Sequence, residues 1–343
     1  MPAEDTAYLQ RPRHAGIPRR RVVRALVAAI ACAAQPAFAQ AAATRPRRVG
    51  ILAPSTAAKE AVTLRPFFDE MRELGWTEGS TVLYERAFAD DDHAKLPALA
   101  AGLVARAPDL IYAPPQNAAV VARRATASIP IVFATGTDPV GFGLVRSLAH
   151  PGGNVTGVAT LASTLLPKAL EILREAMPRA RRLGVLGDPA DPRWKADQDA
   201  LSALAPSHGI TVVSAAAKGE RDVEGAIASL VAQRVDVIFT NSSITYNTRD
   251  VVIALARRAR IPIVGHRSEF VDAGALFSYG APLPTQIRRS AHFVDKVLRG
   301  ASPADMAVEQ STQIELVVNL RTARDLKVVI PASVLARADR VVG

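Results

Sequence analysis

Short apolar runs alternate with stretches of helical periodicity from Arg48 to the end of the chain. The runs 49–53, 109–113 and 129–134 have the length and near-continuous apolarity of strands buried on both faces of a parallel sheet. Residues 81–88 alternate like a strand. Between the first two strands, Leu64, Phe67, Phe68, Met71 and Leu74 fall three and four residues apart. That spacing predicts one amphipathic helix from Glu60 to Leu74, stopped by Gly75. Further helices are expected at 94–106 and, after the loop Pro114–Asn117, to Ala127. After Gly157 the alternation restarts, with strands at 182–187, 210–215, 236–240 and 261–264. Helices are expected at about 165–176, within 194–206, and at 222–232, 245–260 and 284–299. Strands separated by helices of this length predict an α/β fold with doubly wound parallel sheets.

Two parts of the chain follow the same series. Asp109-Leu-Ile-Tyr and Asp236-Val-Ile-Phe each lead into a polar loop. Each loop is followed by a helix ending Arg-Arg-Ala, at 123–125 and 257–259, and then by Ile-Pro-Ile-Val, at 129–132 and 261–264. Any one match is weak, but the ordered series predicts one architectural unit used twice, as two similar lobes. Residues 139–150 should include a short helical segment, and Pro151–Gly157 is a turn-rich run read as the first crossing between lobes. An extended run at 275–282 is read as the return, and 308–311 as a further passage. Lobe one is therefore expected to hold 45–155 plus about 281–308, and lobe two 156–280 plus about 309–343. The hinge is expected at Gly152, Gly153, Asn154, Thr156, Ser278 and Tyr279.

Length and charge narrow the classes. A chain of 343 residues, 49% hydrophobic, can bury two sizeable cores. The net charge of +10 is uneven, because residues 1–39 carry six Arg against Glu4 and Asp5. The remaining Arg and Lys are scattered among acids along helices, as on solvated faces, so no nucleic-acid partner is expected. The N-terminal cluster reads as a targeting segment: Arg19-Arg-Arg21 and Arg24 precede an uncharged run from Ala25 to Ala34, then Ala37-Phe-Ala39 in the small-x-small form of a cleavage site. Residues 1–39 are expected to be a signal peptide, which places the mature protein in the periplasm, soluble. Cys32 is the single cysteine and lies inside that segment, so the mature chain would have no disulfide and no thiolate metal site.

The search for catalytic chemistry is negative. No nucleophile elbow, phosphate loop or dinucleotide fingerprint is present, and the six histidines never fall at metal-ligand spacing. Asp90-Asp-Asp92 could chelate a cation or form a solvated turn. No enzyme activity, metal or cofactor is expected. What remains is a set of polar loops at the carboxyl ends of the strands: Ser55-Thr56, Gln116-Asn117 and Thr137-Asp138 in the first half; Asp188, Asn241–Ser243 with Tyr246-Asn247, and His266–Glu269 in the second. Helix N-termini beside such loops suit a carboxylate, and Asp138, Asp188 and Glu269 suit an ammonium. Tyr246, with Trp194, could pack on an apolar portion of a ligand. Loops at this topological position in both halves point to a shared cleft for a small polar or zwitterionic molecule.

Four segments carry a family resemblance: 129–157 (IPIVFATGTDPVGFGLVRSLAHPGGNVTG), 74–104, 269–280, and 316–342 with Asn319-Leu-Arg-Thr-Ala323 and Ile330-Pro-Ala-Ser-Val-Leu335. In these the chain resembles the ABC-transporter substrate-binding proteins of the type I periplasmic-binding fold, in the branch that includes aromatic amino-acid binders. The resemblance implies two lobes joined by three crossings, closure on a small-molecule ligand (an amino acid or an aromatic carboxylate), and delivery to a membrane permease. It implies ligand contacts at Ser55, Pro115, Gln116, Asn117, Thr137, Asp138, Pro139, Asp188, Ser242, Ser243, Tyr246, Arg267 and Glu269. The chain departs from the family pattern at Pro114–Asn117 and after Asp188, which are ligand-facing positions. Three other readings stay open. A periplasmic sensing subunit would look the same. A secreted hydrolase would need a nucleophile–base pair. A cytoplasmic regulator would need a DNA-binding helix pair where the targeting segment stands.

Overall fold

The computed structural model describes residues 45–343 apart from 161, 190 and 192; the expected signal peptide and Cys32 lie outside the described residues. Strands β1 (Arg47–Ala53), β2 (Val82–Phe88), β3 (Leu110–Tyr112), β4 (Ile131–Gly136), β5 (Val155–Ala159) and β11 (Glu309–Gln310) form one sheet. Its order is β11-β5-β4-β3-β1-β2, with every neighbouring pair parallel. A second sheet contains β6 (Arg182–Gly187), β7 (Thr211–Ala216), β8 (Val237–Thr240), β9 (Ile263–Gly265), β10 (Phe277–Gly280), β12 (Glu315–Asn319) and β13 (Arg340–Val342). Its order is β13-β12-β10-β9-β8-β6-β7, parallel except between β10 and β12.

The order β2-β1-β3-β4-β5 thus recurs as β7-β6-β8-β9-β10, the duplication expected from the sequence. The paired aspartates show how closely the halves correspond. Asp109 Oδ2 accepts the N–H of Arg48 at 2.8 Å, and Asp236 Oδ2 accepts the N–H of Arg182 at 2.8 Å. Each carboxylate satisfies backbone at the start of the neighbouring strand, β1 or β6, where the ladder alone would leave it open.

The central strands of both sheets are buried on both faces, which is why they read as continuous apolar runs, whereas edge strand β2 alternates. In the first lobe, Leu52, Ile111 and Phe133 pack on one side, and Val49, Leu110 and Tyr112 on the other. In the second, Leu183, Val185 and Phe239 oppose Leu186, Ile238 and Ile263. The covering helices of the first lobe are α1 (Ala57–Thr63), α2 (Arg65–Glu73), α3 (Leu96–Ala105) and α4 (Gln116–Ala125). Those of the second are α5 (Ala162–Ala176), α6 (Arg193–Leu204), α7 (Glu220–Ala232), α8 (Ser243–Asn247), α9 (Arg249–Arg258) and α10 (Ser268–Ala273). Helix α11 (Leu283–Leu298) follows β10 in sequence but covers the first lobe, where Ile287, Ala291 and Val294 join Val49 and Phe67. Tyr112 ties this layer together, stacked on Phe67 at 4.2 Å between ring centroids, its hydroxyl 2.7 Å from that of Ser290. The chain closes with α12 (Leu320–Asp325) and α13 (Ala332–Leu335) beside β12 and β13.

The chain passes between lobes three times, after β5, after β10 and after β11. The first passage is displaced from its expected place. Pro151–Gly157 is a turn that feeds β5, and β5 belongs to the first sheet, so the chain leaves the lobe only after Ala159. The supposed hinge residues anchor that lobe: Gly152 N–H donates to Ala304 O at 3.1 Å, Asn154 Nδ2 to Ile129 O at 2.7 Å, and the Thr156 hydroxyl to Met306 O at 2.7 Å. Gly153 lies within the same turn. Gly157 is required there. Its φ is +154°, and a Cβ would stand 2.0 Å from Phe133 O on β4. Ser278 and Tyr279 are likewise inside β10, paired with β12, and the passage begins after Gly280. The second lobe's share of the third segment starts near β12, because β11 still pairs with β5.

Two helical expectations also change. Residues 60–74 form two helices, because Pro66 lacks an N–H and its ring crowds the carbonyl four residues back; the break falls at Leu64. Residues 139–149 form turns, with Leu144 N–H donating to Pro139 O at 2.9 Å.

Candidate functional site

The carboxyl ends of the strands in both lobes converge on three neighbouring cavities. The innermost, about 80 Å³, lies between Thr135 at the end of β4 with Thr137 just beyond it, and Leu165, Phe239 and Tyr279 of the second lobe, with Thr160 and Ala281 from two of the crossings. The middle one, about 80 Å³, is bounded by Pro54, Glu60 and Pro115 of the first lobe and by Ser242 and Tyr246 of the second. The outer one, about 460 Å³, opens between Lys59 and Val62 of α1 and Arg249 and Glu269. Thr135, Asn241, His266 and Arg267 line both the inner and the middle space, and Tyr246 both the middle and the outer.

Arg267 is held at this junction by a hydrogen-bond chain. His266 Nδ1 lies 2.6 Å from Thr240 O, and a carbonyl only accepts, so Nδ1 carries the proton. Arg267 Nε–H donates to His266 Nε2 at 3.2 Å, so that nitrogen carries the lone pair and the imidazole is neutral. Arg267 also reaches Gln286 Oε1 at 3.5 Å, and Gln286 Nε2 donates to the Thr160 hydroxyl at 2.6 Å. The guanidinium is thereby coupled to the first crossing and to α11. It lies 5.8 Å from the centroid of the Tyr246 ring, which also meets Arg249 at 5.1 Å and packs edge-on against Phe270. Burial, then the charge of Glu269, pushes the Tyr246 hydroxyl up to about 12, so it stays a protonated donor.

The structure brings together Pro115, Thr137, Ser242, Tyr246, Arg267 and Glu269 of the residues expected from the sequence. Ser242 caps α8: its hydroxyl accepts the Thr245 N–H and donates to Leu186 O at 2.9 Å. The side chain of Ser243 lies outside the described residues. Ser55, Gln116 and Asn117 are buried beside the lining prolines. Gln116 Oε1 accepts the N–H groups of Thr137 and Asp138 at 2.8 and 2.9 Å, which fixes the loop after β4. Ser55 Oγ, Gln116 Nε2 and Asn117 Nδ2 have no hydrogen-bond partner among the described residues.

Other residues expected at the site stand outside these three cavities. Asp138 is exposed and lines none of these cavities; its Oδ1 closes a turn by accepting the Gly141 N–H at 2.8 Å. Pro139 is buried in the same turn. Trp194 packs across Gly187, where a Cβ would stand 2.1 Å from its ring, and so belongs to the second core. Asp188 is buried and stands 3.0 Å from His93 Nδ1 of the first lobe. Burial acts to lower the His93 pKa. The close contact with Asp188 and the charges of Asp191, Asp188 and Asp91 together outweigh it, so the imidazole is held above its usual range.

The acidic run resolves into this same rim. Asp91 binds Lys59 at 2.8 Å and accepts from Asn247 Nδ2 of the second lobe at 3.0 Å, while Asp92 caps the Ala94 N–H at 3.1 Å. No metal-holding cluster of these residue types occurs among the described residues. Sequence reasoning missed Glu60, Thr135, Gln286 and the apolar wall at Leu165 and Phe239. Glu60 had a signal: it stands four residues before Leu64, in register with the stripe through Phe67 and Met71.

Comparison with known proteins agrees with this architecture. The family profile described as ABC transporter substrate binding protein matches residues 54–342. A tyrosine-binding protein of Clostridioides difficile is 29% identical over 261 residues, covering 76% of this chain and 75% of that protein. A conserved domain protein from Vibrio cholerae superposes with a TM-score of 0.80 at 28% identity, over 87% of this chain and all of that one. An ABC domain from Streptococcus pneumoniae in complex with L-Trp gives 0.77 at 25% identity, again over 87% of this chain and 100% of the other. The chain belongs to the ABC-transporter substrate-binding protein family, and its two lobes have the type I periplasmic-binding fold.

Proposed function

We propose that this protein captures a small amino acid or aromatic carboxylate between its lobes and presents it, unaltered, to a membrane permease. The observation that carries the ligand class is Arg267, fixed at the junction between an inner space walled by Leu165, Phe239 and Tyr279 and a more polar middle space. A carboxylate at the guanidinium gains a charge-assisted, geometrically specific pairing. The apolar wall then takes the rest of the molecule. The relatives that bind tyrosine and tryptophan support the same class. Family membership supports a binding role without covalent chemistry, and the permease as partner. We place the mature protein in the periplasm after cleavage near Ala39. No helix among the described residues is long and apolar enough to cross a membrane.

The test is a thermal-shift panel of the chain lacking residues 1–39 against L-tyrosine, L-tryptophan, L-phenylalanine, L-leucine, their deaminated acids, and neutral sugars. Binding at a hundredfold excess over Kd stabilises by about 2.7 kcal/mol. Arg267→Ala should erase the shift for every carboxylate. A response to sugars alone would refute the ligand class.

A further inference from the structure

We propose that Glu60 is the group that receives a cationic nitrogen of the ligand, so that the cleft selects amino acids over their deaminated carboxylates. The inference rests on the reading of the interlobe cleft as the ligand site. Glu60 is 6% exposed and lines the middle cavity, to which the second lobe contributes Tyr246 and Arg267. Its carboxylate makes no hydrogen bond or ion pair among the described residues. Its neighbour on the same stripe, Glu70, is also buried but receives Arg288 at 2.7 Å and His292 at 2.9 Å. An unpartnered buried carboxylate is costly, whereas one in a cavity that closes on a donor is recovered on binding. With Arg267 lining the same cavity, the site offers one group of each sign, which is what an α-amino acid presents in reverse.

The charged surroundings leave Glu60 poised. Burial, then the charge of Asp91, raises its pKa to about 7. Lys59, next to it on α1, is engaged with Asp91 at 2.8 Å. From the second lobe the cavity meets Arg267, the protonated Tyr246 and His266, whose imidazole is neutral in the hydrogen-bond chain. Among the described residues it meets Leu283 and Ile287 of α11, and Pro54, Pro114, Pro115 and Thr135 at the strand ends of the first lobe. The Tyr112 hydroxyl on β3 is engaged by Ser290. An ammonium arriving beside the protonated carboxyl drives its proton into solvent, while the ligand keeps its own. Near pH 7 binding should release about half a proton per site.

Calorimetry tests this with L-tyrosine and L-tryptophan against 3-(4-hydroxyphenyl)propanoate and indole-3-propanoate, at pH 7 in two buffers of different ionisation heat. For wild type the amino acids should bind at least tenfold tighter than the deaminated acids, with proton release. Affinity for the amino acids should rise between pH 6 and pH 8. Glu60→Gln should remove the discrimination, the proton release and the pH dependence, yet still bind the deaminated acids. Glu60→Asp, which withdraws the charge by one methylene, should be intermediate and covers the case in which the Gln variant folds poorly. Equal binding of both sets, or discrimination retained in Glu60→Gln, overturns the role of Glu60 while leaving the carboxylate site standing. If wild type binds none of these compounds, the proposed ligand class and this inference fall together.

Discussion

Glu60 and Glu70 lie on one apolar stripe, and the fold treats them in opposite ways. Glu70 is neutralised by Arg288 and His292 of α11 and serves packing. Glu60 faces a cavity and stays uncompensated, so it should tax the unliganded protein. Its native pKa of about 7 exceeds the ordinary value of 4.5, so the folded state binds more protons between those limits. Its contribution to stability therefore falls as pH rises through that window, and the whole penalty is felt above it. Glu60→Gln should make the unliganded protein about 1–3 kcal/mol more stable at pH 8.5, shrinking toward zero near pH 5, in urea unfolding curves. A variant equally stable or less stable than wild type at pH 8.5 would mean the carboxylate has a partner. Much of the lining of the candidate cleft was legible at this scale, because polar residues after strand ends announce themselves. Asp138 misled because an aspartate three residues before a glycine is equally suited to closing a turn. Glu60 was overlooked because it sits on a helix rather than in a loop.

At the scale of elements, the lobes touch through a polar rim of short segments. His93, in the turn before α3, meets Asp188 after β6; Asp91 meets Asn247 of α8; Lys59 lies 3.9 Å from Glu220 of α7. None of these pairings could be read from the sequence, because each joins residues from different lobes through geometry set by the crossings. The His93 pair has a definite pH signature. Its folded pKa is raised, so the stabilisation is fully present below the unfolded value near 6.5 and is lost as pH rises through the folded value. The melting temperature of wild type should exceed that of His93→Gln by more at pH 6 than at pH 9, corresponding to roughly 1–2 kcal/mol at the acidic end. A difference independent of pH would show that the ring matters only as packing. Helix boundaries were legible where capping or glycine marks them. The break at Leu64 was missed because the apolar stripe runs straight through it, and the periodicity carries no trace of the amide that Pro66 lacks.

At the scale of the molecule, the repeated series around Asp109 and Asp236 disclosed the two-lobed plan, because each aspartate performs the same backbone task in its own sheet. The first crossing was misplaced because Pro151–Gly157 has the composition of a linker, yet its turn and its glycine serve the close approach of β5 to β4. Since α11 and β11 return to the first lobe after the second has been traversed, neither lobe is a continuous length of chain. Heat or urea should therefore unfold residues 46–343 in one transition, and a saturating ligand should move that transition as a whole. Two resolved steps, with only one moved by ligand, would show independent lobes. The same threading imposes an order on manufacture. As the chain emerges from the ribosome, the face of the first sheet bearing Val49, Leu110 and Tyr112 has only Phe67 and Met71 of α2 to cover it until α11 has been made, by which time most of the second lobe already exists. The earliest strands to be synthesised are thus among the last to be sealed, and any machinery that moves the nascent protein would meet it while that face is still open.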